Sequence, residues 1–291
     1  MEMTFRYQEM VGRNLGFVTE REQELLRSTP VFVCGVGGMG GACLMSLVRA
    51  GMETLAIADF DRFEVSNLNR QLFATLRTVG RGKVEGTLAE VAAINPEARL
   101  QSFGAEWIDR LDEILAGHKV VVNGTDDIRA AILLYRKARE QGVTVIDAYT
   151  SPLPSVTRVR PGDPRPEERL RFPTVGKPWN EISDADIDEC KLAELVHVAT
   201  HSSSARYFDP QIASEVFAGR RSRPSFAPMV ITAGNLMAFE VISHVLGRDG
   251  GADCRGYFFD PWRGRAEHPR SAWLAALLEP LVRRKLMRLA G

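Results

Sequence analysis

The sequence predicts an α/β fold, a mostly parallel sheet flanked by helices, on three observations. Short apolar runs alternate with segments of helical apolar spacing from residue 31 to residue 146. The first run enters a glycine cluster that leads into a helical segment. The 291 residues, 45% of them hydrophobic, can bury a substantial core, as one large domain or one domain with a sizeable insertion.

A polar helical start at 19–26 precedes the first strand, 31–34, and the helix after the glycines runs over 42–50. Residues 54–58 form a second strand ending in Asp59. A helix at 84–94 is closed by Asn95-Pro96, because a residue before proline is pushed out of helical geometry, and a short third strand follows at 100–103. The alternation continues through a helix near 107–115, a strand at 120–122, a helix at 128–140 and a strand at 143–146. Such a pattern specifies parallel strands joined by right-handed crossovers.

From Ser151 the character changes. Pro152, Pro154, Pro161, Pro164, Pro166, Pro173 and Pro178 are expected to interrupt any regular element as far as Trp179, which reads as a crossover loop or lid. A helix at 185–198, a polar Ser202-Ser203-Ser204 stretch, a long helical segment near 228–246 and a strand at 257–259 follow. The last segment, 272–289, is an amphipathic helix with Arg283, Arg284, Lys285 and Arg288 near its end. Cations there suit the helix dipole, so packing against the body is expected rather than a membrane. The second half therefore reads as a proline-rich crossover loop and a helical and strand C-terminal part.

Charge excludes some partners. Lys plus Arg and Asp plus Glu each number 37, so no global field draws the chain to nucleic acid or to an anionic membrane. Residues 1–8 lack a secretory apolar region and no uninterrupted apolar run approaches a membrane span, so a cytoplasmic location is expected. Cys34, Cys43, Cys190 and Cys254 form no CxxC pair, which argues against a disulfide framework and a four-thiolate zinc site.

The chemistry is concentrated in the first half. Gly35-Val36-Gly37-Gly38-Met39-Gly40 fits GxGxxG directly after a strand and at the opening of a helix. There the missing side chains let the backbone approach a phosphate and helix N-terminal amides point at it. Asp59 stands where a carboxylate can accept ribose hydroxyls. The pair indicates a nucleotide on a Rossmann-type sheet without separating ATP from NAD, and a structural glycine turn is the plain alternative. The polar stretch Asp61-Arg62-Phe63-Glu64-Val65-Ser66-Asn67-Leu68-Asn69-Arg70-Gln71, Lys83 at a helix start and Asp126 past the fourth strand should converge on one crevice at the carboxyl ends of the strands. Departing pyrophosphate develops negative charge that Arg70, Lys83 and a divalent ion held by Asp126 can stabilise. A solvated turn, an exposed lysine and a helix N-cap are the corresponding structural alternatives.

GxGGxG, Asp59-x-Asp61, the Ser66–Gln71 run SNLNRQ, Gly80-x-x-Lys83 and Thr125-Asp126-Asp127 resemble the adenylation domain of the ubiquitin-activating-enzyme-like adenylyltransferases, the ThiF/MoeB/HesA class acting on ubiquitin-like and sulfur-carrier proteins. The resemblance covers about residues 6–150, with a looser echo in 228–247 and 257–263. It implies ATP and Mg2+ as cofactors. The nucleotide would be bound by Gly35, Gly37, Gly38, Gly40, Asp59, Asp61, Asn67, Asn69, Arg70, Gln71 and Lys83, with Asp59 on the ribose, Asn67, Arg70 and Lys83 on the phosphates, and Asp126 on magnesium. Residues 1–150 would be the ATP-binding core and 151–291 would complete the same domain. A homodimer is implied in which Arg13 reaches the other subunit's ATP, as is a protein or peptide substrate with an activatable carboxylate.

The chain also departs from that family. Many relatives hold zinc with two CxxC pairs, which are missing here, so no zinc is expected. Cys190 is the candidate for an acyl-thioester, although Asp186, Asp188 and Glu189 beside it oppose a thiolate. His197 and His201 stand at helical spacing without a carboxylate ligand and are assigned no metal. Arg220, Arg221 and Arg223 could steer an acidic substrate or form a solvated charge run. The expected activity is ATP-dependent adenylation of a carboxylate, releasing pyrophosphate for a second nucleophile to act. A tRNA threonylcarbamoyladenosine dehydratase-like enzyme, an NAD-dependent oxidoreductase and a silent binding subunit are the alternatives.

Overall fold

A computed structural model of the chain describes residues 4–217 and 220–290; the first three residues of the polar N-terminal stretch lie outside the described residues. The strands are β1 (Val31–Cys34), β2 (Thr54–Ala58), β3 (Arg99–Phe103), β4 (Val120–Asn123), β5 (Thr144–Asp147), β6 (Ser155–Val159), β7 (Tyr257–Asp260) and β8 (Arg265–Glu267). They form one sheet in the order β3-β2-β1-β4-β5-β6-β7-β8. Neighbours from β3 to β5 pair in parallel, while β6, β7 and β8 are antiparallel additions.

The helices are α1 (Tyr7–Val11), α2 (Glu20–Ser28), α3 (Gly38–Arg49), α4 (Lys83–Ala92), α5 (Leu111–Ala116), α6 (Ile128–Glu140), α7 (Pro166–Arg169), α8 (Asp184–His201), α9 (Pro210–Phe217), α10 (Ala227–Val245) and α11 (Ala272–Ala290). Side-chain alternation divides them into two layers. Val31 and Val33 of β1 face Leu44, Leu47 and Val48 of α3 and Met237 and Val241 of α10. Phe32 and Cys34 face Trp107 in the turn before α5, Leu111 and Leu115 of α5, and Leu134 and Ala138 of α6. Because both faces are covered, β1 is apolar throughout, and each of its large side chains contributes roughly 1.5–3 kcal/mol by leaving water.

Helix α10 is long and apolar enough to cross a membrane by length and composition alone. Here it lies on α3, and Gly234 sits where a Cβ would come within 2.5 Å of the Met39 carbonyl oxygen. That close approach brings α10 against the glycine segment. Helix α11 packs on α8, as an amphipathic helix should, but leaves Trp273, Leu277 and Leu281 exposed.

The proline-rich segment is more regular than its composition suggests. Residues 155–159 contain no proline, and with Pro154 before them and Pro161 after them they pair as β6 with β5 and β7. Pro166 starts α7, a position where its missing N–H costs nothing. Helix α9 and strand β8 are likewise additions to the elements read from sequence.

Candidate active site

The segment after β1 is shaped by backbone-to-backbone contact. Gly35 has φ +86° and donates its N–H to the Ala58 carbonyl at 2.7 Å. A Cβ on Gly40 would lie 1.9 Å from the Gly35 oxygen and 3.2 Å from Gly124 Cα, so the loops after β1 and β4 touch without side chains between them. Helix α3 starts at Gly38, earlier than its apolar spacing suggests, and Gly37 at its N-cap supplies no side-chain cap. Its first amides are therefore left for an external acceptor, with the positive end of the helix dipole behind them.

Asp59 closes β2 and orders the rim. Its Oδ2 accepts the Val36 N–H and its Oδ1 accepts the Asp61 N–H, both at 3.0 Å. The Lys83 ammonium, buried at the start of α4, lies 2.8 Å from Asp61 Oδ2 and 3.8 Å from Asp59 Oδ2. Each carboxylate oxygen can take a further hydrogen bond. Asn67 is buried, and its Oδ1 accepts the Glu64 N–H at 3.0 Å, a local brace. Asn69 donates to the Ser225 carbonyl at 2.9 Å and accepts from Arg70 Nη1, which also donates to the Ser66 carbonyl. Arg70 lays its stem beside Gly38, and Gln71 lies beside Gly37 with a buried Oε1 that has no partner. The glycine cradle, the uncapped amides and the two cations fit a nucleoside triphosphate.

The helix cap that the sequence left as the alternative role of Asp126 is taken by Asp127. Asp127 Oδ1 caps α6 by accepting from the Arg129 and Ala130 N–H groups, at 2.8 and 3.3 Å. Asp126 stays exposed beside the glycine loop. Among the described residues no three His, Cys, Asp or Glu side chains cluster as a preformed metal site. A lone carboxylate supplemented by phosphate oxygens is nonetheless an ordinary magnesium environment.

Arg13 is exposed at the opposite end of α3 from the glycine loop, where neighbouring Asn14 donates to the Ala50 carbonyl at 3.1 Å. The helix is about 18 Å long at ~1.5 Å per residue, so Arg13 stands well away from its own chain's cradle. Cys190 is fully buried on α8 among Ile132, Phe172, Ile182 and Ile187, and burial pushes its thiol up to about 11. That placement speaks against the thioester role expected of it: the sulfur is enclosed and protonated. The His197 and His201 rings stack at 4.0 Å, and burial, followed by His201, holds His197 down to about 2, a neutral core pair.

Sequence reasoning missed a charged cavity of about 110 Å³ that continues from Asp126 beneath the crossover segment. Its lining includes Tyr135, Asp147, Tyr149, Arg169 and Glu194. Asp147, at the end of β5, accepts from Asn123 Nδ2 at 2.9 Å, Tyr135 Oη at 2.7 Å and the Ala148 N–H. Burial raises its pKa against these bonds. Glu194 Oε1 accepts the Thr150 N–H at 3.0 Å, and burial lifts this carboxyl to about 7. Asp147 could have been found, since it ends a parallel strand as Asp59 does. Nothing local marks Arg169 or Glu194.

A family model described as the ThiF family matches residues 11–272. A molybdopterin-synthase adenylyltransferase of Salmonella typhimurium is 38% identical over 107 residues, 36% of this chain and 43% of that protein. A tRNA threonylcarbamoyladenosine dehydratase of Bacillus subtilis is 32% identical over 139 residues, 47% of this chain and 55% of that one. The chain thus spans about half the length of these curated relatives. The crystal structure of PaaA superposes with a TM-score of 0.62 at 18% identity, over 91% of this chain and 83% of that chain, which is a likeness of fold.

Proposed function

The chain belongs to the ThiF family, and we propose that it is an ATP-dependent adenylyltransferase acting on a carboxylate of a protein or peptide. A carboxylate oxygen attacks the α-phosphorus of ATP, the bond from that phosphorus to the bridging oxygen breaks, and pyrophosphate leaves an acyl-adenylate for a second nucleophile. The observation that carries this reading is the convergence of Lys83, Arg70, the uncapped α3 amides and the uncommitted Asp126 at the carboxyl ends of β1, β2 and β4. In this reading Asp59 and Asp61 hold the ribose edge, Asn67, Asn69 and Gln71 shape the cradle, and Arg70 and Lys83 meet charge developing on pyrophosphate. Magnesium, when bound, supplies positive charge at the phosphates, with Asp126 as its protein ligand.

Residues 1–150 are assigned to the ATP-binding core and 151–291 to completing the same domain, supported by the single sheet and by α10 against α3. We assign a homodimer, supported by the remoteness of Arg13 from its own cradle and by exposed Phe17 and Leu76. Calorimetry should find ATP with magnesium bound and NAD bound more weakly, and carboxylate-dependent exchange of pyrophosphate into ATP should follow. Tighter binding of NAD overturns the reading. Activation of a threonylcarbamoyl carboxylate on tRNA is the second reading, favoured by the likeness to the Bacillus subtilis protein and opposed by the formal net charge of +0. Exchange supported only by modified tRNA would select it.

A further inference from the structure

Among the described residues, Arg169 is the single cation lining the cavity beyond Asp126. Its Nη1 lies 3.4 Å from His197 Nε2, and its guanidinium carbon is 5.6 Å from the Tyr149 ring centre. Its Nε and Nη2 are buried and find no acceptor of good hydrogen-bond geometry; the neighbouring Tyr149 hydroxyl, whose pKa burial raises and Arg169 opposes, donates to the Arg255 carbonyl at 3.1 Å. These two nitrogens share one edge of the guanidinium, the edge that receives both oxygens of a carboxylate in a parallel fork. Leaving two such donors buried and unpaired is costly, so the arrangement calls for an external planar acceptor.

The acids around the cavity are largely committed elsewhere. Asp147 takes three hydrogen bonds from Asn123, Tyr135 and Ala148. Asp127 caps α6, and Glu167 pairs with Arg136. Glu194 accepts from Thr150 and is held near neutrality by burial, so at neutral pH it is in part a hydrogen-bond donor. An incoming anion therefore meets one free fork and a partly protonated carboxyl rather than a wall of open charge.

We propose that this cavity is the subsite for a second, non-reacting carboxylate of the substrate, gripped side-on by Arg169. The substrate is then an acidic peptide or residue carrying two carboxylates, one presented beside Asp126 and the other to Arg169. This rests on the adenylation reading for the first carboxylate, while the second is recognised whether or not chemistry follows.

Glutaramate, with one carboxylate, and its diamide, glutaramide, with none, are suitable probes, titrated into the full chain by ligand-observed NMR, with ATP affinity measured separately by calorimetry. The wild type should bind glutaramate at least tenfold more tightly than the diamide. Arg169→Gln should reduce that preference below twofold, and Arg169→Lys, which keeps charge without the fork, should fall between them. Thermal denaturation checks that each variant is folded, and Arg169→Lys carries the comparison if Arg169→Gln is not. Equal binding of the two probes, no binding of glutaramate, or an undiminished preference in the folded variants overturns the proposal. Absence of ATP binding alongside an Arg169-dependent preference would sink the adenylation reading and leave the subsite standing.

Discussion

Replacing Gly40 by alanine places a methyl group 1.9 Å from the Gly35 carbonyl oxygen and 3.1 Å from its carbon. Relief even to 3.0 Å needs a movement of more than 1 Å. Gly35 cannot retreat freely, because its N–H is bonded to Ala58 at 2.7 Å and a Cβ on it would itself meet Gly124 at 2.5 Å. Overpacking of this kind costs about 1–3 kcal/mol or more. For a chain of this size that is a melting temperature lowered by roughly 2–5 °C. A displacement of about 1 Å in a phosphate cradle also costs on the order of a hundredfold in rate. Pyrophosphate exchange and thermal denaturation of Gly40→Ala should show both losses. Gly162→Ala, where nothing lies within 4 Å of the added carbon, should stay within about 0.5 kcal/mol of wild type. A Gly40→Ala protein with unchanged melting and exchange within twofold of wild type would refute the argument that these two loops are in contact because neither carries a side chain.

Asp126→Ala should lower carboxylate-dependent exchange by about a hundredfold, whereas Cys190→Ala, altering a side chain enclosed beneath α8, should leave it close to wild type; the reverse pattern would overturn both placements. Arg13→Ala should slow adenylation while light scattering still reports a dimer, and a monomer with full turnover would remove that role. Glu194 has its carboxyl raised from 4.5 to about 7, so its contribution to stability is present below pH 4.5 and lost as pH rises through about 7. Glu194→Gln should therefore lose less stability than wild type between pH 5 and pH 8. The difference is about 1–2 kcal/mol after allowing for partial exposure, from about 1.4 kcal/mol per unit. Parallel melting curves across that range would contradict it.

The amino-acid order by itself determined the parallel half of the sheet and the crevice at the carboxyl ends of its strands. Continuous apolar runs such as Val31–Cys34 can be satisfied only by burial on both faces, and the glycine motif needs no distant partner to be recognised. Local periodicity also located α6, and the topology rule for open parallel sheets placed Asp59, Lys83 and Asp126 at one edge. It could not choose between Asp126 and Asp127 as the cap of α6, since adjacent aspartates differ only in which one the turn aims at the helix amides. Antiparallel β6 was hidden because proline composition dominates a window in which residues 155–159 are themselves free of proline. Cys190 was the thioester candidate by its place after the crossover segment, among acids in the linear sequence, and α8 turns it inward against Phe172 and Ile182. The Arg169 cavity depended on tertiary structure alone. Its walls come from α3, β4, β5, β6, α6, α7 and α8, between Met39 and Glu194 in sequence, and the unpaired guanidinium edge exists only once folding has withdrawn Asp127, Asp147 and Glu167 into other bonds.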